Sequence, residues 1–126
     1  FAALGADVAE YPLRAKCCGG MLMTTADNVA LKLVRNLLDC AVTSGANCIV
    51  TACPLCHINL DAYQTNVNRA FGTNFSLPIV YFTQLVGVAL GLSRQELAFG
   101  KEIVSAEKLL SPYLDRSHAL EARNEG

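Results

Sequence analysis

Asn47-Cys48-Ile49-Val50-Thr51-Ala52-Cys53-Pro54-Leu55-Cys56-His57-Ile58-Asn59-Leu60-Asp61 is the stretch on which the fold turns. Its first six residues read as a buried strand, apolar and β-branched. Proline suits the first turn of a helix, so Pro54 marks the start of one, and Ile58, Leu60, Ala62 and Tyr63 carry it to about Ala70, before Gly72. A strand thus runs straight into a Cys-x-x-Cys pair at a helix start. The free amides and dipole of such a terminus favour the anionic form of a thiol.

Upstream, Ala30, Leu33, Val34, Leu37, Leu38 and Ala41 recur at three- and four-residue spacing, which predicts an amphipathic helix over 27–44. Thr24, Thr25 or Asp27 can cap its start, and Gly45 sits where a left-handed C-terminal cap belongs. Before it, Arg14 to Gly20 reads as a loop holding Cys17-Cys18-Gly19-Gly20, and Ala6 to Tyr11 is compatible with a first strand. Downstream, Pro78 to Phe82 reads as a further strand. Thr83 can cap a helix from Gln84 to Leu90, and Ser93 one from Gln95 to Phe99.

Alternating strands and helices imply an α/β fold. The expectation is a single domain with a small, mostly parallel sheet, helices on its faces and Rossmann-like βαβ units. Both cysteine pairs then lie in loops at strand ends, where such sheets place ligands. Residues 1–116 are assigned to the domain and 117–126 to a polar tail.

The 126 residues are 52% hydrophobic and 17% charged, enough for one compact core. A net charge of −1 and ten scattered basic residues give no stripe for nucleic acid. The most apolar stretch, Leu77 to Leu92, contains Pro78 and Gln84 and falls short of the roughly 20 residues a bilayer helix needs. Six cysteines are the anomaly. Phe1 to Glu10 has no basic region followed by an apolar run, so reduced thiols in a cytoplasmic setting are expected rather than disulfides.

A Cys-x-x-Cys pair alone serves thioredoxin-like exchange, zinc and iron–sulfur sites alike. The adjacent Cys17 and Cys18 are more telling. Neighbouring side chains in extended backbone diverge, which is awkward for one tetrahedral ion but suits a cluster with several metal atoms. Cys40 and Cys48 stand outside both motifs and are expected to pack as small apolar side chains.

Three segments carry a family resemblance: Tyr11-Pro-Leu-Arg-Ala-Lys-Cys-Cys-Gly-Gly, Thr51-Ala-Cys-Pro-Leu-Cys-His-Ile-Asn-Leu-Asp and Leu77-Pro-Ile-Val-Tyr-Phe-Thr-Gln-Leu. From near Phe1 to about Pro112 the chain resembles the C-terminal cysteine-rich (CCG) domain of heterodisulfide reductase B subunits. The resemblance implies a noncubane [4Fe–4S] cluster held by Cys17, Cys18, Cys53 and Cys56. It also implies cleavage of a disulfide of the coenzyme M–coenzyme B type, with heterodisulfide reductase A and C type subunits as electron-transfer partners. The family pattern has a further ligand cysteine upstream of the CC pair, and only 16 residues precede Cys17. The domain is therefore expected to be N-terminally incomplete, with the cluster absent or replaced by zinc in the isolated chain, and the chain to self-associate or need other subunits.

His57 follows the Cys-x-x-Cys pair and is a candidate proton donor to a leaving thiolate, set against the plainer role of orienting the loop. Lys16 is a candidate for offsetting cluster charge, or simply a solvated lysine; Met21 and Met23 read as gap-fillers. The competing functions are thioredoxin-like dithiol exchange through Cys53 and Cys56, and a non-catalytic electron-relay or zinc-binding module.

Overall fold

The computed structural model describes residues 1–114. The polar tail expected at 117–126 lies outside them. A 3-10 turn at Ala2–Leu4 and a loop lead to a second 3-10 turn at Gly20–Leu22. Then follow helix α1 (Asp27–Thr43), strand β1 (Ile49–Thr51), helices α2 (Pro54–Ala62) and α3 (Gln64–Phe71), strand β2 (Ile79–Tyr81), and helices α4 (Phe82–Ala89) and α5 (Glu107–Leu114).

β1 and β2 pair in parallel with Ile49 opposite Ile79, Val50 opposite Val80 and Thr51 opposite Tyr81. α2 and α3 make the crossover between them, so the unit is βαβ. Strand side chains alternate between faces, and β2 divides the core accordingly. Ile79 joins Val34, Leu37, Leu38, Ala41, Leu60 and Val67 under α1, α2 and α3. Val80 joins Leu97, Ala106, Leu110 and Leu114 on the other side, with Leu85 and Val88 of α4 packed against them. The fold is a small α/β domain with helices over both sheet faces.

The apolar stripe of α1 is buried as its spacing requires. The start is capped by none of the three candidates: Ala26 takes that position without a side-chain bond. Its end is as expected. Gly45 adopts φ +77, and the amides of Ala46 and Gly45 bond the carbonyls of Ala41 and Val42, both at 3.0 Å. This is a Schellman closure.

Four expectations need correction. Ala6 to Tyr11 forms no strand, and the sheet has two strands among the described residues. Val8 is exposed, and Tyr11 instead sends its hydroxyl to the Leu37 carbonyl at 3.0 Å, tying the segment to α1. The helix expected from Pro54 to Ala70 breaks at Tyr63. Buried Gln64 explains the break. Its side-chain amide donates to the Leu60 carbonyl (3.1 Å) and the Leu77 carbonyl (2.7 Å) and accepts from the Leu77 amide (2.9 Å). Gln95 to Phe99 is a capped turn rather than a helix. Ser93 and Glu96 bond reciprocally, but Ala98 at φ 55 stops propagation. Finally, the helix expected from Gln84 behind a Thr83 cap begins at Phe82, with Tyr81 at the N-cap and its amide donating to Gln84 Oε1 at 3.0 Å; α5, with Pro112 inside it, forms under the packing of Leu110 and Leu114.

Candidate metal centre

The site grows from the C-terminal end of β1. Cys53 is the N-cap residue of α2, with extended backbone (φ −102, ψ 123), and Pro54 takes the first helical position. The amides of Cys56 and Leu55 face the Cys53 sulfur. The Cys56 amide contributes most to holding this exposed thiol below its ordinary pKa. One turn on, Cys56 is half-buried. Burial first, and then its contacts with Cys18 and Cys53, push its thiol up to about 12. Cys56 therefore sits between Cys53, at the helix start, and Cys18, on the upstream loop.

Cys18 is 3% exposed and belongs to the core under α1 and α2, while its neighbour Cys17 is exposed. The two adjacent side chains do diverge. The Cys17 sulfur accepts a bond from the Gly19 amide at 3.3 Å. Two glycines let this loop press against both helices. A Cβ on Gly19, at φ +74, would lie 2.8 Å from Leu33 Cδ1 of α1. A Cβ on Gly20 would lie 2.8 Å from Leu55 Cγ, inside the Cys-x-x-Cys pair itself. From α2, buried Asn59 donates its side-chain amide to the Cys18 carbonyl at 2.9 Å. The two motifs, 35 residues apart in the sequence from Cys18 to Cys53, thus share one end of the fold.

His57 Nε2 lies 3.0 Å from the Ile79 carbonyl of β2. A carbonyl only accepts, so Nε2 is the donor and carries a proton. Its ring lies 6.0 Å from that of Tyr81, whose hydroxyl bonds the Ala52 carbonyl at 2.8 Å and pins the turn into Cys53. Cys40 and Cys48 are elsewhere. Cys40 is half-buried on α1, and Cys48 packs against the opposite core, where burial raises its thiol pKa.

An iron–sulfur group can be tested against these residues. The donor set is all thiol, with no carboxylate in it. Among the described residues, no three His, Cys, Asp or Glu side chains converge on one ion-sized point. Thiols alone are the donors iron–sulfur groups take, and Cys56 meets both Cys18 and Cys53. Thr51, 8% exposed and two residues before Cys53, has a buried hydroxyl without a partner. By strand alternation it lies on the face of Ile49, which shares its core with Cys18. A buried hydroxyl without a partner costs free energy, and this one, two residues before Cys53, is open to an acceptor. The residues fit.

Sequence reasoning missed Thr51, Asn59 and Tyr81. Asn59 had a readable signal: three residues beyond Cys56, it falls on the same helical face, a polar group in an apolar setting. Tyr81 reaches Ala52 only through strand pairing, which leaves no local trace.

The cysteine-rich (CCG) domain family model matches residues 1–61, which include both pairs. The B subunit of the ferredoxin:CoB-CoM heterodisulfide reductase of Methanosarcina mazei is 36% identical over 121 residues, 94% of this chain and 40% of that protein. The B subunit of the ferredoxin/F(420)H(2)-dependent CoB-CoM heterodisulfide reductase of Methanosarcina acetivorans is 34% identical over 120 residues, again 94% and 40%. The 8-methylmenaquinol:fumarate reductase membrane anchor subunit of Wolinella succinogenes is 36% identical over 107 residues, 85% of this chain and 38% of that protein. The chain spans about two fifths of the length of these relatives. Among the described residues no helix is long and apolar enough to cross a membrane. A family model that takes in both cysteine pairs, and relatives 34% and 36% identical over 94% of this chain, make it a member of the CCG cysteine-rich domain family, akin to heterodisulfide reductase B subunits.

Proposed function

We propose that this domain carries the catalytic iron–sulfur centre of a disulfide-reducing B-type subunit, with Cys17, Cys18, Cys53 and Cys56 as its ligands. The observation that supports this most is Cys56 in contact with both Cys18 and Cys53 at the α2 N-terminus. The domain is taken as residues 1–116, the cluster as a noncubane [4Fe–4S], and the substrate as a disulfide of the coenzyme M–coenzyme B type or an analogue. A and C type subunits are the proposed electron-supplying partners, in the cytoplasm.

When bound, the cluster supplies electrons one at a time to a reaction that needs two. The chain's own residues orient and shield. Cys18 and Cys56 lie on the buried side, while Cys17 and Cys53 face outward, toward an incoming substrate. Exposed Met21, Leu55 and Ile58 line the same end and offer an apolar surface to substrate or partner chain. His57, fixed through Nε2, holds α2 against β2, and its Nδ1 is the ring atom proposed to face a leaving thiolate. Tyr81 holds the Ala52 turn.

Dithiol exchange through Cys53 and Cys56 is favoured by one observation: an exposed thiol with lowered pKa beside a partner pushed up to about 12. It leaves Cys17 and Cys18 without a task. Viologen-driven disulfide reduction by serine variants separates the readings. The cluster reading expects loss of turnover at Cys17, Cys18, Cys53 and Cys56. Exchange expects Cys17→Ser and Cys18→Ser to stay active.

A further inference from the structure

We infer that Asn59 is a positioning residue that sets the Cys17–Cys18 turn against the Cys-x-x-Cys helix before any metal arrives. The inference rests on the cluster reading, and concerns how the thiol set is held rather than what it binds.

Asn59 is 2% exposed, in the middle of α2, and its side-chain amide donates to the Cys18 carbonyl at 2.9 Å across 41 positions of sequence. That carbonyl has no backbone donor among the described residues. The neighbouring loop bonds are local: Lys16 to Leu13, Gly19 to the Cys17 sulfur, Leu22 to Gly19. From Lys16 to Gly19, among the described residues, Asn59 therefore makes the one hydrogen bond that ties the backbone of this turn to another element, beside the thiol contact of Cys18 with Cys56. Beyond that bond the loop is held by packing, through buried Cys18 and the close approach of its glycines. Gly19 and Gly20 offer no side chains, and they approach Leu33 and Leu55 so closely that none could fit without a shift. A buried amide in a helix is costly unless bonded, and an apolar residue would pack there more cheaply. What the amide provides is register. It sits one turn after Cys56, so one rigid helix carries both a proposed ligand and the bond that fixes the upstream pair.

The test needs no metal. In the reduced apo chain, alkylation of Cys18 is timed against Cys40 and Cys48 as internal references, with Asn59→Asp and Asn59→Leu beside the wild type. Asn59→Asp keeps the shape but turns a donor into an acceptor facing a carbonyl. Asn59→Leu keeps an apolar core and drops the bond. The expected result is local release: Cys18 reacts at least about tenfold faster in both variants, while Cys40 and Cys48 hold their wild-type rates. Unchanged Cys18 protection overturns the inference. So does a parallel rise of all three thiols, whether by unfolding or by global loosening, since Asn59 is then a general stability residue. Iron content of the wild type, measured separately under anaerobic reconstitution, reports on the cluster reading alone.

Discussion

Gly19→Ala tests how closely the cysteine loop packs on α1, because the structure separates two costs there. Gly19 adopts φ +74, where an L side chain meets its own carbonyl at about 1 to 2 kcal/mol. Its new Cβ would also lie 2.8 Å from Leu33 Cδ1 and 3.3 Å from the backbone Cα of Ala30, and forcing a methyl into packed surroundings costs about 1 to 3 kcal/mol more. Leu33 can give way only in part, since Ala30 behind it is helix backbone. Gly45 supplies the control. Its φ is +77, and a Cβ there meets nothing within 4 Å. Gly45→Ala should show the backbone cost alone, about 1 to 2 kcal/mol, and Gly19→Ala about 2 to 5. Urea unfolding, with the slope confirmed unchanged, gives both values. Two equal losses would refute the close approach, and with it the argument that this loop is pressed onto the helices.

Thr51→Val removes the buried hydroxyl that has no partner while keeping the shape, so the metal-free chain should gain about 1 kcal/mol and roughly 3 to 6 °C in melting temperature. A loss instead would show that the hydroxyl is bonded in the apo protein. Tyr11 titrates near 12 rather than 10, chiefly through burial, and its hydroxyl must keep its proton to bond Leu37. With the folded value above the unfolded one, its contribution is complete below pH 10 and lost as pH rises to about 12. The stability difference between wild type and Tyr11→Phe should hold steady to pH 10 and then shrink; a constant difference to pH 12 would contradict this.

The βαβ unit was legible because its signals are local. Strand residues Ile49 to Thr51, Pro54 at a helix start, and Gly45 after an apolar repeat each act within a few positions. The misses came from contacts made at distance. Tyr11 pairs with α1 rather than with a sheet, Gln64 breaks a helix to clamp Leu77, and α5 forms despite Pro112 because Leu110 and Leu114 find a core. At the site, the cysteines were visible by spacing and type. Of the groups that hold them, Asn59 leaves a trace as a polar residue on the Cys56 face of α2, but its partner and that of Tyr81 are the carbonyls of Cys18 and Ala52, which no side-chain pattern records.

The central claim is that the two cysteine pairs form one iron–sulfur site, and iron with acid-labile sulfide per chain after anaerobic purification tests it most directly. Carried in its full B-type subunit, the domain should be brown and hold both elements. Iron and sulfide should vanish together in Cys17→Ser, Cys18→Ser, Cys53→Ser and Cys56→Ser, since oxygen is a harder ligand that disfavours iron–sulfur ligation. Cys40→Ser and Cys48→Ser should keep the metal, at a packing cost of about 1 to 2 kcal/mol. A colourless wild type that still reduces disulfides, or a Cys17→Ser protein that is active without iron, would contradict the account.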